Sequence, residues 1–300
     1  MTYSNVITLD LNFMGVSGAI ACYAIPHKHG VALVECGPGS TLSALREGLQ
    51  AHGFAIQDVS HVFLTHIHLD HAGAAGWLAR QGAQVYVHPV GAPHLQNPEK
   101  LLASAARIYG DQMDALWGEF LPVPEGKLTI LQDEETVDVD GLCIQALDTP
   151  GHAEHHLVYL LDDICFCGDI GGVRLAGTYH LRLPMPPPEF HPEKWRKSLR
   201  RLRDEKFSRI APTHFGIFSD ANWHLASLSE LLEQTITWIE KTMASDPPVE
   251  EINQRLSEWS SQRALADGVP SQEIEAYEYA NPSWMSGYGI QRYWRKLRNG

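Results

Sequence analysis

The sequence THIHLDH occupies residues 65–71 and places four potential metal ligands, His66, His68, Asp70 and His71, within six positions. It follows a short apolar run at residues 61–64 and precedes a segment of helical composition, which indicates a strand-to-helix turn. Side chains at positions i and i+2 of an extended segment project to the same side, so His66 and His68 form a pair. Asp70 and His71 begin the next turn and can point to a second position nearby. The stretch is therefore a dense group of candidate ligands.

Three later segments each place one further candidate ligand directly beyond an apolar strand. These ligands are His152 in the segment DTPGH (148–152), Asp169 in the pair Gly168-Asp169, and His214 in the segment PTH (212–214). A fold built on sheets gathers its site residues at strand ends and in the loops that follow them. We therefore expect these three side chains to join the first four at one site.

Hydrophobic patterning predicts alternating strands and helices, followed by a helical end of the chain. Strands are predicted at residues 6–11, 19–25, 31–36, 61–64 and 85–88, and again between residues 128 and 169. Helices are predicted at residues 97–120 and 191–206, and apolar residues recur at helical spacing after residue 220. Residues 184–188 contain four prolines, too many for regular structure, and are expected to form a rigid extended loop.

These segments, in this order, resemble the metallo-β-lactamase fold superfamily from about residue 10 to residue 220. The superfamily's HxHxDH motif matches His66, His68, Asp70 and His71, and its later ligands match His152, Asp169 and His214. The resemblance implies that His66, His68 and His152 hold one metal ion, and that Asp70, His71 and His214 hold a second. It also implies that Asp169 bridges the two ions. The pattern is most similar to the glyoxalase II-like (hydroxyacylglutathione hydrolase) and lactonase-like branch.

The resemblance also implies the architecture. We expect an α/β fold, a four-layer αββα sandwich, with the metal ions at one edge between the sheets. Residues 1–220 are predicted to form this hydrolase domain, and residues 221–300 a helical C-terminal extension packed on it. The extension is interpreted either as a lid over the pocket or as a subunit interface, and the second interpretation predicts a homodimer.

The predicted reaction is hydrolysis of a small carboxylic ester, thioester or lactone. Two divalent cations about 3.5–4 Å apart can share a water and lower its pKa from 15.7 to roughly 7, which gives a bridging hydroxide nucleophile. Asp70 is predicted to orient this nucleophile and to transfer its proton. Zinc is the expected metal, and iron or manganese also suit imidazole and carboxylate ligands.

Other reactions fit the same ligands. The main alternative is a small-molecule phosphodiesterase or a β-lactamase. A redox di-iron protein of the same fold typically has Glu in place of the second His of the motif, and His68 stands here. A metal-binding protein without catalytic activity is the remaining alternative, which the complete ligand set disfavours.

Substrate contacts are predicted in the loop after Asp169, because this loop lines the substrate pocket in related hydrolases. Arg174 is predicted to bind an anionic group of the substrate, and Tyr179 to donate a hydrogen bond to a developing oxyanion. A surface salt bridge for Arg174 and a packed aromatic role for Tyr179 are the alternatives.

Composition restricts the partners and the compartment. The chain has 23 Lys and Arg against 36 Asp and Glu, a formal charge of −13, which argues against a nucleic-acid partner. Its 5 Cys are scattered and odd in number, which indicates a reducing compartment without a disulfide framework. The first 15 residues lack a basic start followed by an apolar stretch, and apolar runs stay shorter than a membrane span, so we expect neither a leader peptide nor a transmembrane segment. We therefore predict a cytoplasmic protein with a small-molecule substrate and no membrane partner.

Overall fold

Two β-sheets face each other in the structure, a computed structural model that describes residues 5–299. Residues 1–4 of the predicted domain 1–220 and residue 300 of the predicted extension 221–300 lie outside the described residues. The first sheet contains β1 (Ile7–Asp10), β2 (Ala21–His27), β3 (Gly30–Val34), β4 (Val59–Phe63), β5 (Gln84–Val87) and β6 (Leu128–Ile130). The second contains β7 (Thr136–Val139), β8 (Leu142–Asp148), β9 (Leu157–Leu161), β10 (Ile164–Phe166) and β11 (Arg209–Ala211).

Both sheets are mixed. In the first sheet the strands lie in chain order, with β1 to β3 antiparallel and β3 to β6 parallel. In the second sheet the order is β11-β10-β9-β8-β7, and only the pair of β10 and β11 is parallel. Parallel pairs need a crossover connection, and the helices that make these crossovers cover the outer faces of the sheets.

Helices form the two outer layers. Before residue 120 they are α1 (Leu42–Ala51), α2 (Leu69–Ala72), α3 (Ala75–Arg80), α4 (Ala92–Gln96), α5 (Glu99–Tyr109) and α6 (Met113–Trp117). After β10 they are α7 (Pro192–Asp204), α8 (Ala221–Met243), α9 (Val249–Ala266), α10 (Ser271–Ala280) and α11 (Ser283–Asn299). The predicted αββα sandwich with a helical C-terminal region is confirmed.

The helical region after residue 220 packs directly on the second sheet. Leu225 and Leu228 of α8 share one buried cluster with Val158 of β9 and Cys165 of β10. Helix α8 therefore belongs to the outer layer of the sandwich as well as to the C-terminal segment, and the predicted division at residue 220 stays a prediction. Among the described residues, the helices include none long and apolar enough to cross a membrane.

Buried tyrosines connect the inter-sheet core to the site. Tyr23 of β2 packs on Phe166 of β10, with ring centroids 5.3 Å apart. A buried phenol needs a hydrogen-bond acceptor. For Tyr23 and Tyr159 a backbone carbonyl two residues before a predicted metal ligand serves as an acceptor. Tyr23 donates to the carbonyl of Pro212, and Tyr159 donates to the carbonyl of Leu64 at 2.8 Å. The core thereby holds the two loops that carry His214 and His66.

The helix predicted at residues 97–120 is divided in two. Helix α5 ends at Tyr109, and Gly110 follows with a φ of +52°, which no continuing right-handed helix adopts. A short 3₁₀ turn then leads into α6, which ends at Trp117. The bend turns both helices toward the same cavity, described below.

Candidate metal centre

All seven predicted ligands lie just beyond strand ends, at one edge of the sandwich. The stretch 66–71 follows β4 and runs into α2, and His152 follows β8. Asp169 lies in a 3₁₀ turn after β10, and His214 follows β11. The structure brings these side chains together, since each of them contacts at least one other across the loops.

The first ligand cluster consists of three imidazoles that face one another. His68 Nδ1 lies 2.9 Å from His66 Nε2 and 2.9 Å from His152 Nε2. Burial lowers the pKa of all three, to about 3 for His68, and the neighbouring imidazoles lower the pKa of His66 and His68 further. The three rings are therefore neutral near pH 7, and neutral imidazole nitrogens are metal ligands. Their ligand atoms lie within 4.8 Å of one another.

The second cluster consists of Asp70, His71 and His214, whose ligand atoms also lie within 4.8 Å of one another. Asp70 Oδ2 is 3.6 Å from His71 Nε2 and 3.4 Å from His214 Nε2. Burial alone would raise the pKa of Asp70, but the two imidazoles outweigh it and lower the pKa to about 2. The carboxylate is therefore ionised and offers oxygen ligands.

Asp169 lies between the two clusters. Its Oδ2 is 3.3 Å from His152 Nε2, in the first cluster. Its Oδ1 is 3.4 Å from His71 Nε2 and 3.5 Å from His214 Nε2, in the second. One carboxylate oxygen thus faces each cluster, which is the geometry that a bridging ligand requires.

The hydrogen bonds around the centre fit a divalent cation. His71 Nε2 and Asp169 Oδ1 are buried and have no hydrogen-bond partner, which is rare and costly unless another group binds them. His152 Nδ1 lies 2.9 Å from the carbonyl of Pro184, and His214 Nδ1 lies 2.7 Å from that of Ala19. Carbonyls only accept, so both Nδ1 atoms carry the proton and each Nε2 directs its lone pair to the centre.

Glu35 is a residue of the centre that the sequence did not reveal. It is fully buried just after β3, and its Oε1 accepts hydrogen bonds from Thr213 Oγ1 at 3.1 Å and from Thr65 Oγ1. The same oxygen lies 2.9 Å from His71 Nδ1. Although Glu35 is within ligand range of His66 and His71, its oxygens are occupied by these donors. It orients His71 and holds the residues that precede His66 and His214.

The structure does not bring Arg174 and Tyr179 to the centre. The Arg174 side chain is buried and forms a bidentate pair with Asp220, at 2.7 and 2.9 Å. Its guanidinium also lies over the rings of Phe218 and Trp223, at 4.0 and 4.7 Å from their centroids. Tyr179 is 64% exposed and packs edge-on against Trp223. The ion-pair and packed-aromatic alternatives therefore describe these two residues better than substrate contacts.

The reason lies in the backbone after Asp169. Val173 pairs with Arg182 as an isolated antiparallel bridge, and the amide of Arg174 donates to the carbonyl of His214. These contacts direct the Arg174 side chain toward Asp220, at the start of α8, and away from the metal ligands.

A cavity of about 400 Å³ opens beside the centre. Four of the ligands form one end of it: His68, Asp70, Asp169 and His214. The C-terminal helices reach the cavity through residues 278–285, so this part of the predicted extension walls the pocket. His155 also lines the cavity, and burial lowers its pKa well below the ordinary value.

The αββα sandwich carries two clusters of candidate metal ligands at one edge, which is the arrangement that the sequence resemblance predicts. The family model of the metallo-β-lactamase superfamily matches residues 16–214, and the chain belongs to that superfamily. The resemblance inferred from the sequence is thereby confirmed at the level of the superfamily.

Known relatives are similar over parts of the chain. A metallo-β-lactamase fold-containing protein of Sulfurisphaera tokodaii is 29% identical over 168 residues, which cover 55% of this chain and 63% of that protein. A hydroxyacylglutathione hydrolase of a Shewanella species is 28% identical over 108 residues, 36% of this chain and 33% of that enzyme. The chain therefore matches less than two thirds of the length of either relative.

One solved structure is similar over almost the whole chain. A metallo-β-lactamase family protein from Thermus thermophilus superposes with a TM-score of 0.67 at 21% identity, over 98% of this chain and 94% of that one. At this identity the likeness establishes the fold alone, including the helical C-terminal region.

Proposed function

We propose that the protein is a binuclear hydrolase that cleaves a small carboxylic ester, thioester or lactone. The observation that carries this proposal is the position of Asp169, with one oxygen facing each of two three-residue ligand clusters. The similarity to a hydroxyacylglutathione hydrolase supports the carbonyl substrate and the glyoxalase II-like or lactonase-like branch.

The donor set assigns the residues that would hold the cofactor. His66, His68 and His152 would hold one cation, Asp70, His71 and His214 the second, and Asp169 both. Two such cations, when bound, supply a water of lowered pKa and polarise the substrate carbonyl. Zinc is the first candidate for these nitrogen and oxygen ligands, and iron or manganese suits them as well.

Asp70 is the proposed proton carrier. Its carboxylate is half-buried and lines the cavity, while its Oδ2 faces His71 and His214. His71 and His214 hold its pKa at about 2 against the effect of burial, so it is ionised when the reaction begins. Its other oxygen, Oδ1, is then available to take the proton of the attacking water and to return it to the leaving group. The former candidate Tyr179 has no part in this step.

Replacement of Asp70 tests this role. Asp70→Ala is expected to lower kcat by about 100- to 10,000-fold, the range for loss of a positioned acid or base. The circular dichroism spectrum should stay the same, because the side chain is half-buried and belongs to no packed core. Asp111→Ala, on an exposed turn, is the control and should retain full activity. Unchanged turnover of Asp70→Ala would refute the assignment.

A substrate panel tests the reaction class. Purified protein should hydrolyse at least one member among thioesters, lactones and carboxylic esters. A β-lactam and bis-p-nitrophenyl phosphate represent the alternative reactions, and activity confined to either would overturn the proposal. Metal analysis of protein purified without chelator should give about two transition-metal ions per chain, and fewer than one would contradict the binuclear site.

We further propose a cytoplasmic location. All five cysteines are free and four of them are buried, as expected in a reducing compartment. The proposed partner is a small-molecule substrate, with no nucleic acid, in accord with the formal charge of −13. The homodimer stays a prediction, which light scattering after size-exclusion chromatography would test.

A further inference from the structure

The cavity beside the metal centre, called the chamber below, is walled mainly by apolar side chains. Its volume of about 400 Å³ falls in the range of small-molecule sites, roughly 300–1,000 Å³. Beyond the four metal ligands, the walls come from α5, the proline-rich segment 184–188 and α11. Representative wall residues are Leu101, Ile108, Tyr109, Pro186, Trp284 and Met285. The reacting end of the chamber is thus polar and the remainder is apolar.

The acidic side chains that border the chamber are bound elsewhere. Glu278 accepts hydrogen bonds from Arg182 and from both the amide and the hydroxyl of Ser283. Glu189 Oε2 accepts from the amide of Glu154 at 2.6 Å. Besides the metal ligands, the basic side chains that line the chamber are Lys100, which is exposed, and the imidazoles of His94 and His155. Most of the wall offers a substrate no charged partner, and burying a polar group without a partner costs free energy.

The rim of the chamber exposes large apolar side chains to solvent. Met14, Val90, Tyr279 and Trp284 border the chamber and are between 37% and 51% exposed. They come from four different segments of the chain, so no single amphipathic helix accounts for their exposure. Exposed apolar side chains at the border of a cleft are typical of a binding site for an apolar ligand.

Helices α5 and α11 contact each other at the wall of the chamber. Tyr109 of α5 donates a hydrogen bond to Met285 Sδ of α11 at 2.8 Å. The Tyr109 ring also meets the Trp284 ring edge-on, with centroids 5.9 Å apart. Met285 satisfies the Tyr109 hydroxyl, and the Tyr109 side chain lines the chamber. Burial raises the pKa of this phenol above its ordinary value.

We propose that the acyl part of the substrate is an extended apolar chain, and that it binds in this chamber while its carbonyl lies at the metal ligands. This inference rests on the proposed function, and it names the substrate class of the same site. The expected substrate is a medium-chain ester or thioester. A substrate with a small polar acyl group is not expected, because it would leave most of the apolar wall exposed to water.

Chain length in the acyl group provides the first test. Each fully buried methylene is worth about 0.8 kcal/mol, or about a fourfold change in affinity. The value of kcat/KM for p-nitrophenyl octanoate should therefore exceed that for the butyrate by at least about tenfold, with the acetate lowest. Equal values across the series would overturn the inference.

A rim variant with a matched control provides the second test. Trp284→Ala should lower kcat/KM for the octanoate by about five- to tenfold and leave the acetate unchanged. Tyr288→Ala changes an aromatic residue one helical turn later, 43% exposed and not bordering the chamber, and should leave both unchanged. Equal behaviour of the two variants would refute the assignment.

Binding without turnover separates this inference from the proposed function. Titration calorimetry of the protein with octanamide and with butyramide, two neutral amides, should show at least about tenfold tighter binding of octanamide. Octanamide binding without hydrolysis of any ester or thioester would refute the proposed function and retain the chamber assignment. Absence of that preference in the wild-type protein would overturn the assignment whatever the activity. Hydrolysis with no dependence on chain length would overturn the assignment and leave the proposed function standing.

Discussion

Histidines gather at two places in this protein, and their partners differ. The second place, called the hairpin cluster below, consists of His27 and His29 at the turn between β2 and β3, with Asp140 and Ser60. His27 Nδ1 lies 2.6 Å from Asp140 Oδ2, and its Nε2 lies 2.7 Å from Ser60 Oγ. His29 Nδ1 lies 2.9 Å from the same carboxylate oxygen. Each of these ring nitrogens has a carboxylate or hydroxyl partner.

The metal centre is arranged in the opposite way. There the Nε2 atoms of His66 and His152 both lie 2.9 Å from His68 Nδ1, which carries at most one proton and can therefore donate to only one of them. His71 Nε2 has no hydrogen-bond partner at all. An arrangement of this kind is favourable only with a cation between the lone pairs, because burial prevents water from satisfying them.

The comparison shows what distinguishes a metal centre from a histidine network. Both places combine imidazole with carboxylate, and both contain two histidines at positions i and i+2, so neither residue type nor this spacing separates them. The difference is that the ring nitrogens of the hairpin cluster have carboxylate or hydroxyl partners, whereas in the centre His71 Nε2 has no hydrogen-bond partner and His68 Nδ1 is shared by two facing imidazole nitrogens. Each place has one carboxylate that contacts more than one histidine, Asp169 in the centre and Asp140 in the hairpin cluster, and replacing each of them tests the comparison.

The largest difference is expected from removal of these two carboxylates. Asp169→Ala should reduce the metal content from about two ions per chain to below one and lower turnover on the order of 1,000-fold, because one side chain supplies an oxygen to both clusters. Asp140→Ala should retain both ions and full turnover. Plasma mass spectrometry of both variants, purified without chelator, measures the contents. Two ions in Asp169→Ala would show that Asp169 does not bridge.

A smaller effect is expected at Glu35, which acts on the centre through His71. Glu35→Gln keeps the shape of the side chain but removes the charge that orients the imidazole, and such changes typically weaken metal binding 10- to 100-fold. Competition with a chromophoric chelator measures this affinity. Asp140→Asn is the same acid-to-amide change in the hairpin cluster and should leave the affinity unchanged. Equal affinities for both variants would mean that Glu35 is only a structural residue.

The convergence of the seven candidate ligands could be predicted from sequence because their signal is local. His66, His68, Asp70 and His71 stand within six positions, and the later candidates stand at strand ends that hydrophobic patterning locates. Glu35 gave no comparable signal. It is a single acidic residue at the end of an apolar run, and only the folded structure brings Thr65, Thr213 and His71 to it.

The substrate pocket could not be predicted for a related reason. Proximity in sequence to Asp169 suggested Arg174 and Tyr179, but the backbone bridge at Val173 turns the segment away from the ligands. The chamber is built from α5 and α11, which are about 180 positions apart in the chain and meet through Tyr109 and Met285. Such contacts depend on tertiary packing, which periodicity within a helix does not specify.

The smallest effect is expected from the charge of Asp140 and concerns stability. The imidazoles of His27 and His29 lower the pKa of Asp140 from its ordinary value of 3.8 to about 2. A carboxylate with a lowered pKa stabilises the folded state above the unfolded pKa and loses that contribution as the pH falls toward the folded one. Asp140→Asn should therefore lower the urea midpoint by about 0.2 M at pH 5 to 7, and the difference should shrink between pH 4 and pH 2.

Unfolding followed by tryptophan fluorescence, with chelator present in every sample, measures this difference without a contribution from metal release. Asp111→Asn, which changes an exposed carboxylate outside both clusters, should leave the midpoint unchanged at every pH. High salt should reduce the effect of Asp140→Asn, because the Asp140 pair with His29 is exposed and therefore screened. A difference that persists at pH 2 would place Asp140 in a different role and remove the contrast between the two clusters.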